Sequence, residues 1–232
     1  MTLYISLDDT DTRESRGTGR LARAIARNLT ESGFRVSGVS RHQLLVHPDI
    51  PYTSHNSCAV IHVENGSDPG HLFGLVRNMV QEDFVEGSDP GLAVARHGDI
   101  LPEITEFGLR AKRDVLTQKM AQDLADHADV ALEGLGGTNG GIIGALAGLG
   151  LAVTGNDGRY VQFGNLRELT GDLLAGDILA SGVSRICTLS GDTITSGIVQ
   201  VKKFPKPAIR DGRPVLFVKE EDHGIFREVI LD

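Results

Sequence analysis

Apolar and polar positions change period several times along the N-terminal part of the chain. Leu3 to Leu7 is a short run of strand formers; from Gly19 to Leu29 the residues Leu21, Ala24, Ile25 and Leu29 fall at helical spacing; Phe34 to Val46 is again rich in β formers, with breaks. Cys58 to Val63 reads as a strand, Leu72, Phe73, Leu75, Val76, Met79 and Val80 as the apolar side of a helix, and Gly91 to Ala95 as another strand. The predicted order is β, α, β, β, α, β. That is the split-βαβ, ferredoxin-like arrangement, in which two helices cover one face of an antiparallel sheet.

Lys112 to Ala128 then predicts a helix with Val115, Leu116, Met120 and Leu124 on its apolar side. A Gly-rich loop from Gly134 to Gly141 leads into Ile142 to Ala147, which reads as a buried helix. Beyond Leu151 the texture changes to short β runs at Arg159 to Phe163, Arg185 to Leu189, Thr193 to Val201 and Pro214 to Lys219. The class expected is α/β in the α+β sense: a ferredoxin-like start, a Gly-rich buried helix and a β-rich C-terminal part. The boundary is expected near residue 178, giving units 1–178 and 179–232.

Composition narrows the function classes. A chain of 232 residues with 40% hydrophobic and 23% charged residues buries a real core. It has no apolar run near the roughly 18 residues that a membrane helix needs, and its N-terminus lacks a basic region before an apolar stretch. A cytoplasmic protein with no membrane partner is expected. Cys58 and Cys187 stand far apart with no CxxC pair, which leaves oxygen ligands for any metal. The net charge of -8 opposes a polyanion approaching the whole surface. One stretch runs the other way: Lys202, Lys203, Lys206, Arg210, Arg213 and Lys219 are set against the single acid Asp211. A local anion site and an edge strand protected by lysines both account for it. Glycine is enriched, at 29 residues against a usual ~7%.

Two motifs carry candidate chemistry. Asp8-Asp9-Thr10-Asp11 stands where the first strand ends, and carboxylates so close together either face water or share a cation. Magnesium suits such a group, because it takes one or two protein carboxylates and completes its octahedron with water and phosphate oxygens. An Asx-type turn leading into a capped helix is the structural alternative. The second motif, Gly136 to Gly150, lacks the Gly-Lys-Ser/Thr of a Walker loop, yet it feeds a helix N-terminus that favours an anion. Its glycines 140, 144 and 148 also form a smooth stripe suited to tight packing. The segment Pro51 to Ser57 gathers hydroxyl, amide and imidazole groups ahead of a buried strand, as a ligand-facing loop does.

Taken in order, these pieces resemble the kinase-like N-terminal domain of archaeal tRNA-isoleucine agmatidine synthetase over about residues 1–150. Asp8-Asp9-Thr10-Asp11 resembles its Asp-Asp-Thr-Asp-Ser opening, Ile50-Pro51-Tyr52 the start of its Pro-aromatic-Lys-Thr-Arg-Gly-Asn-Gly-Ala loop, and Asp89-Pro90-Gly91 its Asn-Pro-Gly. Arg113-Asp114-Val115-Leu116 resembles Lys-Asp-Val-Leu, and Gly141 to Leu146 is similar to Gly-Leu-Ile-Gly-Ala-Leu. The resemblance implies binding of ATP with magnesium; in that family the domain uses ATP to activate an anticodon cytidine for attack by agmatine. Where the family has Gly-x-Cys-Thr, with the threonine as its phosphorylated residue, this chain has Gly17-Thr18-Gly19-Arg20, and the basic loop has become Thr53 to Cys58. No counterpart of the family's oligonucleotide-binding domain and zinc ribbon is expected.

The function expected is therefore a magnesium-dependent ATP-binding protein that transfers a phosphoryl group to an unidentified, small acceptor. A kinase-like or ligase-like enzyme answers to this description, with 1–178 as its ATP-binding unit. Asp8, Asp9 and Asp11 are the expected catalytic and metal-binding residues. Thr18, Arg20, His55, Asn56, Asn139, Gly140 and Gly141 are the expected cofactor-binding residues. The alternatives are a component of a tRNA-modifying, agmatidine synthetase-like enzyme and a non-catalytic nucleotide sensor. The charge balance and the loss of loop cations disfavour tRNA as the partner.

Overall fold

The computed structural model describes residues 2–12, 14–15, 17–51, 55–64 and 68–231. It has a mixed α/β fold, mostly of antiparallel strands, and the chain divides into two compact units, Met1–Thr154 and Gly155–Asp232.

In the first unit the elements follow the order that the hydrophobic periods suggest: β1 (Thr2–Asp8), α1 (Thr18–Glu31), β2 (Arg35–Gln43), β3 (Ser57–Glu64), α2 (Pro69–Asp83) and β4 (Gly91–Arg96). Then come α3 (Pro102–Arg110), α4 (Gln118–Ala128), β5 (Ala131–Gly134) and α5 (Ile142–Val153). The strands lie in the order β5-β4-β1-β3-β2, with antiparallel neighbours. Strand β1 sits mid-sheet and is buried on both faces. Side chains alternate across a strand, so Leu3, Ile5 and Leu7 point one way and Tyr4 and Ser6 the other. Tyr4 joins a core cluster with Cys58, Val60, Ala93, Ala95 and helices α3, α4 and α5. Helix α1 packs on β2 and β3, burying Leu21, Ala22, Ile25, Ala26 and Leu29, and ends at Gly33, whose φ of +90° suits a residue without Cβ.

Helix α5 is apolar all round and is correspondingly buried, lying against β1, β3 and β4 and against α3. Its glycines set that distance. A Cβ on Gly144 would collide with the Asp8 carboxylate, one on Gly148 with Ser6 Oγ, and one on Gly150 with the Ile104 carbonyl of α3. The stripe is thus a packing surface from Gly144 onward, whereas Gly140 lies ahead of the helix in the turn.

The helix expected over 112–128 starts only at Gln118. Thr117 ends the preceding loop, its hydroxyl accepting from the Met120 amide at 3.3 Å, and Val115 is exposed. The apolar pair Val115 and Leu116 mimics helical spacing, while α3 just upstream buries only Ile104, Phe107 and Gly108 and leaves a faint periodic signal.

The second unit contains β6 (Arg159–Gln162), β7 (Gly171–Leu174), α6 (Ala175–Ala180), β8 (Arg185–Thr188), β9 (Ile198–Val201), β10 (Ala208–Arg210), β11 (Arg213–Asp222) and β12 (Ile225–Val229). Its strand order is β6-β10-β11-β12-β9-β7, with β8 paired to β11. Leu166, Ala175 and Ile178 share one core with Ile186, Val199, Leu216 and Phe226, so residues ahead of 178 cluster with those after it. The compact units accordingly meet at 154/155, against the expected 178. Among the described residues no helix is long and apolar enough to cross a membrane.

The close packing of α5 on β1 is testable. Gly148→Ala places a methyl against Ser6 Oγ, 2.9 Å from Cys58 Sγ and 3.1 Å from Val60 Cγ2. Overpacking of this kind costs about 1–3 kcal/mol, against about 1 kcal/mol gained from helix preference. Ser6 Oγ is buried without a hydrogen-bond partner among the described residues. Ser6→Ala is therefore expected to be neutral or stabilising alone and to recover part of the Gly148→Ala loss in the double variant. Thermal unfolding of the two single variants and the double variant checks this; strictly additive effects contradict it.

Candidate functional site

The site forms where β1 ends, β4 begins and the turn before α5 passes over both. Asp8 and Gly91 are register partners on β1 and β4, which brings the acidic motif beside Asp89 although the two are far apart in sequence. The Gly141 amide donates to the Asp89 carbonyl at 2.9 Å, and a Cβ on Gly91 would collide with the Gly141 carbonyl, so both positions require glycine. The Asp89 carboxylate in turn accepts from the Thr138 amide. Asp9 turns the chain out of β1 with a φ of +51°, a left-handed conformation that Asp tolerates better than most residues.

A cavity of about 230 Å³ opens there. Its lining includes Asp8, Asp9, Asp11, Thr18, His55, Asn56, Gly140 and Gly141, which brings together most of the residues expected from the sequence. Arg20 and Asn139 are not in the lining. Arg20 lies on α1 with its guanidinium 3.9 Å from Asp83, and Asn139, at a φ of +62°, stands against Gly134. Of the expected loop, Tyr52, Thr53 and Ser54 lie outside the described residues, while Pro51 and Ser57 join the wall.

Local bonds fix several of these groups. Asp11 Oδ1 accepts from the Thr18 amide at 3.0 Å and from the Thr18 hydroxyl at 2.7 Å, capping the start of α1. Asn56 Nδ2 donates to the Leu45 carbonyl at 2.6 Å, and the Asn56 backbone carbonyl accepts from the Leu44 amide at 2.8 Å. Asn56 therefore holds the β2–β3 connection closed. The Leu45 amide donates to the Ala111 carbonyl at 2.9 Å, tying that connection to the loop before α4. The amides of Gly141, Ile142 and Ile143 donate to the carbonyls of Asp89, Asn139 and Gly140, so the turn before α5 spends them internally.

Asp49, Asp89, Asp114, Gln118 and Thr138 also line the cavity, and the sequence did not single them out as site residues. Asp89 had a signal, an Asp-Pro-Gly directly ahead of a strand. The lining thus combines several aspartates with an apolar wall of Leu44, Ile50, Pro51, Val115 and Leu116, and includes no Lys or Arg among the described residues.

The electrostatic consequence is strong. Burial, then the charge of Asp9, pushes Asp8 up to about 8, with a smaller push from Asp11 and an opposing pull from a backbone hydrogen bond at Asp9. Burial, then Asp89 and Asp11, push Asp9 up to about 6. Among the described residues no three His, Cys, Asp or Glu side chains close on one point as a metal cage. The donor set suits a cation that also takes phosphate oxygens and water, because the carboxylates repel one another and the lining includes no Lys or Arg cation among the described residues.

No family model matches the chain. Over 173 residues it is 31% identical to tRNA(isoleucine-2) 2-agmatinylcytidine synthetase TiaS of Methanosarcina mazei, a match that takes in 71% of this chain and 39% of the relative. Among solved structures, the complex of TiaS with its isoleucine tRNA and ATP matches 65% of this chain and 36% of its own at 27% identity and a TM-score of 0.56. The tRNA fluorescent labeling enzyme gives 27% identity, the same two shares and a TM-score of 0.57. The complex of TiaS with the same tRNA, AMPCPP and agmatine gives 25%, 64% of this chain and 36% of its own, and 0.54. The chain therefore carries a domain similar to part of an ATP-using, tRNA-modifying enzyme. That enzyme is TiaS, and the chain spans about two fifths of its length.

These matches correct the expectation about partners. The net charge of -8 argued against tRNA, yet the similar proteins form complexes with an isoleucine tRNA. Net charge averages over the surface, whereas contacts with phosphates are decided within a Debye length of about 8–10 Å.

The raised carboxylates set a pH dependence. Between about pH 4 and 6 the folded chain retains the Asp8 and Asp9 protons that the unfolded chain has released, and up to about pH 8 it still retains that of Asp8, so the unfolded state binds fewer protons and stability falls as pH rises. The penalty is absent below about pH 4, where both states are protonated. Asp8→Asn is expected to melt at the parent's temperature near pH 4 and clearly above it at pH 8, a gain on the order of a few kcal/mol. Thermal unfolding across that range tests it; a variant less stable at pH 8 contradicts the electrostatic account.

Proposed function

We propose that this chain carries the nucleotide site of a TiaS-like enzyme, using ATP to activate a cytidine of tRNA for attack by an amine. The observation that carries this reading is the acidic cavity at the β1–β4–α5 junction, in the chain that is 31% identical to TiaS. A triphosphate enters a cavity lined by aspartates only if its charge is offset, so ATP enters together with a divalent cation. Magnesium, when bound, supplies charge neutralisation of the phosphates and of the leaving oxygen.

In this reading Asp8, Asp9 and Asp11 hold the cation and Asp89 faces it from the segment ahead of β4. The apolar wall of Ile50, Val115 and Leu116 shields the nucleotide from water. The Thr18 hydroxyl, its proton directed at Asp11, faces the phosphates, a role that the sequence reading gave to Thr18 and Arg20 together. Gly140 and Gly141 keep the turn thin enough for the phosphates to approach its backbone, while His55 and Asn56 shape the opposite side. Catalysis then rests on positioning and charge neutralisation. Phosphoryl transfer to a small acceptor uses the same half of the site; the likeness to proteins complexed with tRNA favours the RNA acceptor.

Calorimetric titration of ATP in magnesium is the first test. Asp9→Asn and Asp11→Asn are expected to weaken binding at least about tenfold, since each removes a charge facing the cation. Equal affinities in the parent and both variants refute the site. Incubation with ATP, an amine and a tRNA transcript, read by nucleoside mass spectrometry, tests the acceptor: a modified cytidine is expected, and a phosphorylated small molecule with unmodified RNA favours the other acceptor.

A further inference from the structure

The basic stretch of the second unit is left unexplained by the nucleotide site, and the structure shows how its cations are held. Several surface cations are matched to carboxylates, among them Arg20 to Asp83, Arg77 to Glu133, Arg110 to Asp114, Arg113 to Glu106 and Lys119 to Asp123. Arg167 is different. It follows β6, is exposed, and lies over the Phe204 ring with its guanidinium carbon 4.2 Å from the centroid, while one of its nitrogens donates to the Val161 carbonyl at 3.0 Å. An aromatic face and a carbonyl fix the group without cancelling its charge.

Lys202 and Lys203 precede Phe204 in the chain and are exposed, and neither they nor Arg167 has a carboxylate partner among the described residues. Lys206 places its ammonium 5.4 Å from the same ring centroid. The acids facing this strip are few. Glu168 adjoins Arg167 in sequence, and the half-buried Glu228 accepts from the Lys206 backbone amide and feels the charges of Lys206 and Arg159. On the β10–β11 hairpin, Arg210 and Arg213 are register partners, a like-charge cross-strand pair, with the Arg210 guanidinium carbon 5.5 Å from the Phe217 ring centroid. A lysine guard on an edge strand accounts for none of this, because β10 and β11 are interior to the strand order and Arg167 comes from outside the stretch.

We propose that this strip, Arg167 on Phe204 with Lys202 and Lys203 beside it, is an RNA-binding surface of the second unit. It deepens the functional reading above, on which the identity of the polyanion as RNA rests. The two lysines supply point charges for backbone phosphates. The guanidinium, held over the ring, can donate to a phosphate, and its plane is one on which an unstacked base can lie. An acidic peptide has no use for that face, which favours RNA over a protein partner.

Fluorescence anisotropy with a labelled tRNA transcript, at several salt concentrations, decides it. The parent is expected to bind with a linear dependence of log K on log salt. The triple variant Arg167→Ala, Lys202→Ala, Lys203→Ala is expected to bind about tenfold or more weakly at roughly 0.1 M salt, with the slope reduced by roughly 2. Its ATP affinity and circular dichroism should match the parent's, since none of these residues lines the cavity. Arg167→Lys should keep the slope and lose affinity, because charge remains while the planar face is gone. Unchanged affinity and slope in the triple variant, with the parent still binding RNA, overturn the surface and leave the functional reading standing. A parent that binds ATP but no RNA overturns both. Displacement of the RNA by polyglutamate as readily as by unlabelled RNA also overturns the assignment.

Discussion

The first unit depends on how closely helix α5 approaches the strands beneath it. Gly141 meets Gly91 backbone to backbone, Gly144 clears the Asp8 carboxylate and Gly148 clears Ser6 Oγ, so any side chain at these positions would push the helix off the sheet. Helices usually rest on side-chain layers, with axes about 8–10 Å apart from their neighbours. Here the missing Cβ atoms let the turn before α5 hydrogen-bond directly to the segment that opens β4. The same contact that closes the core therefore builds the floor of the cavity. Packing and site cannot be altered independently.

That geometry has an electrostatic cost. It buries Asp8 at a strand end, with Asp9, Asp11 and Asp89 close enough to repel it or one another, and raises Asp8 to about 8 and Asp9 to about 6. A structure selected for stability alone has no reason to hold carboxylates this way. Strain and like charge of this kind gather where a ligand supplies the missing counterpart, and in the reading proposed above a cation bridging to phosphates is that counterpart. The lining also includes the apolar residues Leu44, Ile50, Pro51, Val115 and Leu116, so the cavity offers both kinds of surface that a nucleotide needs.

Much of this was legible in the residues. The periods of 2 and 3.6 marked β1, α1, β2, β3, α2, β4 and α5, because each buries a continuous face. The acidic motif, Thr18, His55, Asn56 and the Gly140-Gly141 turn do meet at one cavity. What escaped the sequence depends on tertiary pairing. Asp89 gains its meaning only from the β1–β4 register, and Val115 mimics a core position because a cavity wall and a helix face need the same residue type. Arg20 looked like a phosphate ligand by its place in a motif, but α1 turns it toward Asp83 and leaves Thr18 facing the cavity. The boundary expected at 178 followed a change of texture, whereas Ala175 and Ile178 belong to the core formed by the strands that follow.

Charge shows the same limit most clearly. A net charge of -8 is one number for a surface on which acids and bases are sorted. Some of the acids are concentrated in the cavity, and several surface cations are cancelled by nearby carboxylates. Arg167, Lys202 and Lys203 on the second unit are exposed and have no carboxylate partner among the described residues. Screening confines each of these regions to its own few ångströms. A chain can therefore be acidic overall, take up a nucleotide through carboxylates and a cation, and still meet a polyanion through a small set of uncompensated bases.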